Sequence, residues 1–183
     1  MDDPTKSPSG APSLKDIATR ALYAMSSEDP STFNEVFHRE ATNREAVQEP
    51  PGSRGTGPTA FLATAKWLNA AFADLRWDIH TLVQEGDTVV IHTTMSGKQT
   101  GPFITYGPDA RPVAALPPTG RTFAVTQTHW FRIHDGKVIE HWANRDDRGM
   151  GEQLGWTPPT PLFIARMLVA TRRAKTRHTT ASD

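Results

Sequence analysis

Residues 128–147, THWFRIHDGKVIEHWANRDD, hold three of the seven histidines and two of the five tryptophans, and they close on an acidic pair. Imidazole and carboxylate are the groups that exchange protons near neutral pH. A carboxylate set against apolar surface has its pKa raised toward that range. Amides beside them orient a carbonyl and hold the negative charge that develops on it. Together these residue types suit removal of a proton next to a carbonyl.

Side-chain parity selects which of these groups meet. Asp135-Gly136 is the strongest hairpin turn in the sequence. Counting outward from a two-residue turn puts Ile133 opposite Val138, His129 opposite Trp142, Gln127 opposite Asn144 and Val125 opposite Asp146. Residues so paired share a face, because side chains alternate across a sheet. That face runs from apolar at the turn to polar at the far end, as a pocket floor would. A solvated strand end would look the same. The opposite face carries Trp130, Arg132, His141 and Arg145, and a one-residue bulge would flip the assignment, promoting His141 and Arg145 instead.

The elements that position this hairpin follow from periodicity. Ser13 with Asp16 reads as a capping box opening a helix with Ile17, Ala21, Leu22 and Met25 on one face. Asp29-Pro30 starts a second helix and Pro58 a third. After Asp74 the period changes from 3.6 to 2, giving strands over 76–83 and 88–96, then 122–133 and 137–144. Between them, 101–121 is a long proline-broken connection of the kind that is usually functional or mobile. Helices followed by an antiparallel sheet make an α+β domain over 13–157. Residues 1–12 are proline-punctuated and polar and read as disordered. Residues 158–183 read as a helical basic tail; a frayed solvated terminus would look similar, but its apolar run, Leu162 to Val169, argues that its first half packs on something.

Composition narrows the class. Lys plus Arg and Asp plus Glu are 20 each, so no net charge draws the chain to nucleic acid or an anionic membrane. No run approaches the ~20 apolar residues of a membrane span, and MDDPTKSPSGAPS lacks the apolar stretch of a signal peptide. There is no cysteine, which excludes thiolate metal sites and fits a reducing cytoplasm. The histidines show no close pairing on one strand face, so no metal is expected.

Three further stretches, AFADLRWDI, PPTGR and DGKVIEHW with an acid four residues after its tryptophan, resemble the SnoaL-like polyketide cyclases, or ester cyclases. The resemblance covers about residues 14–157. It implies the cone-shaped fold of the nuclear transport factor 2 superfamily: a curved antiparallel β-sheet wrapped by N-terminal helices, enclosing a pocket, usually as a homodimer. It also implies ring closure of an aromatic polyketide-like substrate by intramolecular aldol condensation, without cofactor. The acid matching the motif is Asp146, as general acid/base, and His129 matches the assisting histidine. Asn43 and Arg44, in ATNRE, fall where a pocket-lining polar residue is often placed. With the parity reading, Gln127, Trp142 and Asn144 complete the expected substrate-binding set.

Two other functions fit the same residues. Arg145 and Asp147 stand two apart and resemble part of the Asp–Arg–Asp cluster of limonene epoxide hydrolase, a relative in fold, which would make the chain an epoxide hydrolase or dehydratase. A non-catalytic small-molecule-binding or dimerisation module is the third reading, since fold alone does not fix chemistry.

Overall fold

The computed structural model describes residues 12–180; of the segment expected to be disordered, all but Pro12 lies outside them. Three helices come first, α1 (Leu14–Ala24), α2 (Pro30–Val36) and α3 (Pro58–Ala71), with β1 (Phe37–Asn43) between the last two. The caps read from sequence form. Ser13 and Asp16 make a reciprocal capping box, and Asp29 accepts from the Ser31 amide with Pro30 at the first helical position. Two 3-10 turns, Ala46–Gln48 and Pro51–Arg54, bridge β1 to α3.

Long strands follow: β2 (Phe72–Glu85), β3 (Thr88–Gln99), β6 (Thr122–His134) and β7 (Lys137–Arg145). With β1 they form one five-stranded curved, non-closed sheet in the order β1-β7-β6-β3-β2. The sheet is not antiparallel throughout: β1 runs parallel to β7. The strands are about a hundred residues apart in sequence, and the intervening chain is free to return in either sense, unlike the tight hairpins that hold β2–β3 and β6–β7 antiparallel. Helices α1 and α3 pack across the concave face, which is apolar where they cover it. Phe33, Phe37 and Phe61 stack in series, with centroids 5.8 and 4.0 Å apart. Along β6 every second residue from Phe123 to Ile133 is buried, the alternation expected of a strand with one wet face.

The 101–121 connection is structured. It folds into a two-stranded ribbon of β4 (Phe103–Tyr106) and β5 (Pro112–Leu116), antiparallel to each other. Gln99 fixes its base. This fully buried amide donates to the Leu116 carbonyl at 3.1 Å and accepts from the Trp156 indole N–H, also at 3.1 Å. Trp67 on α3 donates to the Ile104 carbonyl at 2.8 Å, clamping the ribbon to the helices. Two helices end the chain, α4 (Asp147–Leu154) against β6 and α5 (Pro161–Thr180) against β5.

At the β6–β7 turn, Asp135 and Gly136 both take positive φ (47° and 72°), as a type I′ hairpin needs. Beyond it the regular pairing fails. Ile133 faces Val138, but Arg132 faces Glu140, so Ile139 is an extra residue on β7. From there outward every β7 side chain is on the face opposite to the one that simple counting assigns.

Candidate active site

Because of this bulge, Phe131 lies opposite His141, His129 opposite Ala143, and Gln127 opposite Arg145. His141 and Arg145 join His129 and Gln127 on the concave side, and the expectation that Trp142 and Asn144 lie there is corrected. Trp142 is half-buried on the outer face, stacked on Trp130 with centroids 6.1 Å apart and planes 7° apart. The Arg44 guanidinium sits 4.5 Å above its ring and ion-pairs with Glu140. Arg44 is therefore an outer-face residue too, and Asn144, opposite Thr128, is exposed. The physical reason lies in Glu140. A regular register would aim its carboxylate beside Phe131 into the core, whereas the bulge brings it within reach of Arg44 and Arg132 (2.5 and 2.9 Å).

Between the helices, the ribbon and the sheet lies a cavity of about 320 Å³, within the range of small-molecule sites. Most of its wall is apolar and aromatic, with Phe61 from α3, Trp77 from β2 and Phe103 from the ribbon. The Trp77 indole N–H is buried without a hydrogen-bond partner. Exposed Gln48 and Asp147 mark the mouth.

One end is polar and connected. His129 Nε2 meets Gln127 Oε1 at 2.9 Å, His129 Nδ1 meets His141 Nε2 at 3.0 Å, and His141 Nδ1 meets Asn43 Oδ1 at 3.0 Å. Strands β6, β7 and β1 thus each lend a member to one chain of contacts. Burial and the Arg145 guanidinium push His129 down to about 3. Burial, His129 and Arg145 hold His141 well below the ordinary imidazole range. Arg145 itself lies between Glu45 (3.5 Å) and Asp147 (3.7 Å). Deeper in, Glu49 accepts from Thr64, and burial raises its pKa.

Asp146 follows Arg145 at the end of β7. It is exposed, just outside the cavity lining, and it N-caps α4 by accepting the Gly149 N–H at 2.8 Å. Its two neighbours, Arg145 and Asp147, both line the cavity. Of the residues selected from sequence, the structure brings together His129, Gln127 and Asn43. It leaves Asp146 at the mouth and turns Arg44, Trp142 and Asn144 away. Sequence reasoning missed Glu45 and Glu49, which sit in segments whose turn-forming residues announce loops and give no sign that a carboxylate points inward.

The model of the SnoaL-like polyketide cyclases matches residues 15–154. The chain belongs to this family. A curated relative, the aklanonic acid methyl ester cyclase DnrD of Streptomyces peucetius, is 30% identical over 151 residues, covering 80% of this chain and 93% of the relative. The nogalonic acid methyl ester cyclase of Streptomyces nogalater is 31% identical over 101 residues, covering 55% and 68% respectively. Among solved structures, TsrD from Streptomyces laurentii superposes with a TM-score of 0.62 at 28% identity, covering 78% of this chain and 94% of TsrD. As a SnoaL-like cyclase the chain is an enzyme with a small-molecule substrate. Helix α5 lies beyond the matched residues, and no helix among the described residues is long and apolar enough to cross a membrane.

Replacing Trp142 by Ala removes an outer-face stack and a cation–π contact. It should lower stability by about 1–2 kcal/mol, read by denaturant titration. Affinity for a cavity ligand should stay within about threefold, under 1 kcal/mol. A large loss of affinity at unchanged stability would return Trp142 to the pocket.

Proposed function

We propose that this enzyme closes a ring of an aromatic polyketide methyl ester by intramolecular aldol addition, with no cofactor, using Asp146 as base and His129 as its acidic partner. The observation that carries this reading is the aromatic-walled cavity with a hydrogen-bonded imidazole chain at its inner end and carboxylates at its mouth. The cyclases to which the chain is similar act on aklanonic and nogalonic acid methyl esters, as their names state.

The chemistry needs only proton movement. The Asp146 carboxylate, turning in from its cap, takes the proton from the carbon between two carbonyls. The resulting enolate carbon bonds to the ketone carbon, and the ketone oxygen, now an alkoxide, takes a proton from the imidazole side. One C–C bond forms, one carbonyl becomes a hydroxyl, and no atom is lost. The free Trp77 N–H and the Arg145 guanidinium are the donors available to hold the developing negative oxygen. Aromatic walls exclude water, which strengthens those contacts and keeps the enolate from being quenched. We also infer a homodimer in the cytoplasm. Support for the dimer comes from α5, which exposes Leu162, Ile164, Leu168 and Val169, more large apolar surface than a solvated helix ordinarily shows.

Asn caps a helix as well as Asp, so Asp146→Asn removes the charge and leaves the cap. The expected result is an unchanged melting temperature with turnover of a polyketide methyl ester reduced by at least about 100-fold. Loss of activity in Asp147→Asn but not in Asp146→Asn would instead indicate the carboxylate–arginine–carboxylate cluster of a hydrolase. Sedimentation of the chain cut after Thr157 should show monomer where the full chain shows dimer; dimer in both would remove α5 from the interface.

A further inference from the structure

The imidazole chain does not balance as two neutral rings. Both of its ends are acceptors whose orientation is fixed from outside. Asn43 Oδ1 accepts the Glu45 backbone N–H at 3.1 Å, so it is the amide oxygen that faces His141. Gln127 gives its NH₂ to Met95 Sδ at 3.1 Å, which leaves its oxygen toward His129. Between these two oxygens run three contacts through four ring nitrogens. Three hydrogen bonds need three hydrogens, and two neutral imidazoles supply two. With both rings neutral, one contact sets a nitrogen lone pair against a lone pair at hydrogen-bond distance. A single added proton completes all three.

From this count we propose that His129 and His141 hold one extra proton between them, and that this shared proton is the one delivered to the aldolate oxygen. The pair is then the general acid of the reaction, with His141 as much a part of it as His129. Asn43 acts as a positioning residue that stabilises the charged pair through its carbonyl. The step is a transfer from imidazolium nitrogen to alkoxide oxygen: the N–H bond breaks, the O–H bond forms, and the pair is left neutral. The proton taken by Asp146 restores it through water at the end of the turnover. The inference rests on the aldol reading for the fate of the proton, but not for its presence.

The surroundings act in both directions. Arg145, on the same strand as His141, opposes the charge, as does burial. Glu45 and Glu49, in the segment after β1, and Asp147, at the start of α4, line the same cavity. Glu45 and Asp147 flank the Arg145 guanidinium and offset it. Helix α3 and strand β3 present uncharged Phe61 and Met95. Burial and Arg145 push His129 down to about 3; the two fixed acceptors favour the charged pair.

The test is ¹⁵N NMR of the histidine-labelled full chain without substrate, followed over pH. A pair that shares one proton titrates as a unit. The rings of His129 and His141 should move together, with one common midpoint above about pH 5. Separate midpoints, or two rings still neutral at about pH 5, would overturn the proposal. Two variants separate it from mere misfolding. Asn43→Asp supplies a charged acceptor and should raise the common midpoint by about one unit or more, and Asn43→Leu should lower it. Because the acid must be protonated, the alkaline limb of the kcat profile should move up in the first variant and down in the second. A shared proton in an enzyme that does not cyclise would sink only the aldol reading. Cyclisation with independent, neutral histidines would sink only this one.

Discussion

The site depends on one extra residue in one strand. Ile139 breaks the pairing of β6 with β7 after the two regular pairs that follow the turn, and everything toward the open end of β7 changes face. Without it His141 and Arg145 would point to solvent and Glu140 into the core beside Phe131. The bulge is held from the outer side, where Glu140 is paired with Arg44 and Arg132 and Trp142 lies on Trp130 under the Arg44 guanidinium. Exposed ion pairs are individually weak. The larger effect is the cost avoided, that of an unpaired carboxylate in an aromatic core. A surface cluster thus fixes which groups reach a cavity on the other side of the sheet.

Inside that cavity the polar groups of the imidazole chain are each held by a neighbour. Asn43 comes from the end of β1, beside the parallel pairing with β7, His129 and Gln127 from a strictly alternating strand, and His141 from beyond the bulge. Three strands converge on one line of hydrogen bonds, and two outside contacts, the Glu45 amide and the Met95 sulfur, set the polarity of its ends. Preorganisation of this kind is what acid/base chemistry has to work with, since its donors and acceptors must be in place before charge develops. The ribbon of β4 and β5 closes the apolar side, tied to the body through Gln99 and Trp67.

Much of the fold was legible in the sequence because its signals are local. Ser13 with Asp16, Asp29-Pro30 and Asp135-Gly136 each specify a cap or turn through the backbone angles and donors of their immediate neighbours. The change of period after Asp74 marked the passage from helices to strands. The site was half legible. Parity placed His129 and Gln127 correctly because β6 is regular, and the resemblance pointed to Asn43. It failed for Trp142 and Asn144 because the bulge has no local mark: Ile139 is an ordinary β-branched strand residue, and what favours its insertion is the pairing of Glu140 with Arg44, about a hundred residues earlier. The parallel pairing of β1 with β7 and the inward turn of Glu49 were hidden for the same reason.

Cross-strand nuclear Overhauser contacts along β6 and β7 test the register, on which the rest rests. The bulged pairing predicts backbone contacts of Phe131 with His141 and of His129 with Ala143. Contacts of Phe131 with Glu140 and of His129 with Trp142 would contradict it, placing His141 and Arg145 outside the cavity and dissolving the imidazole pair.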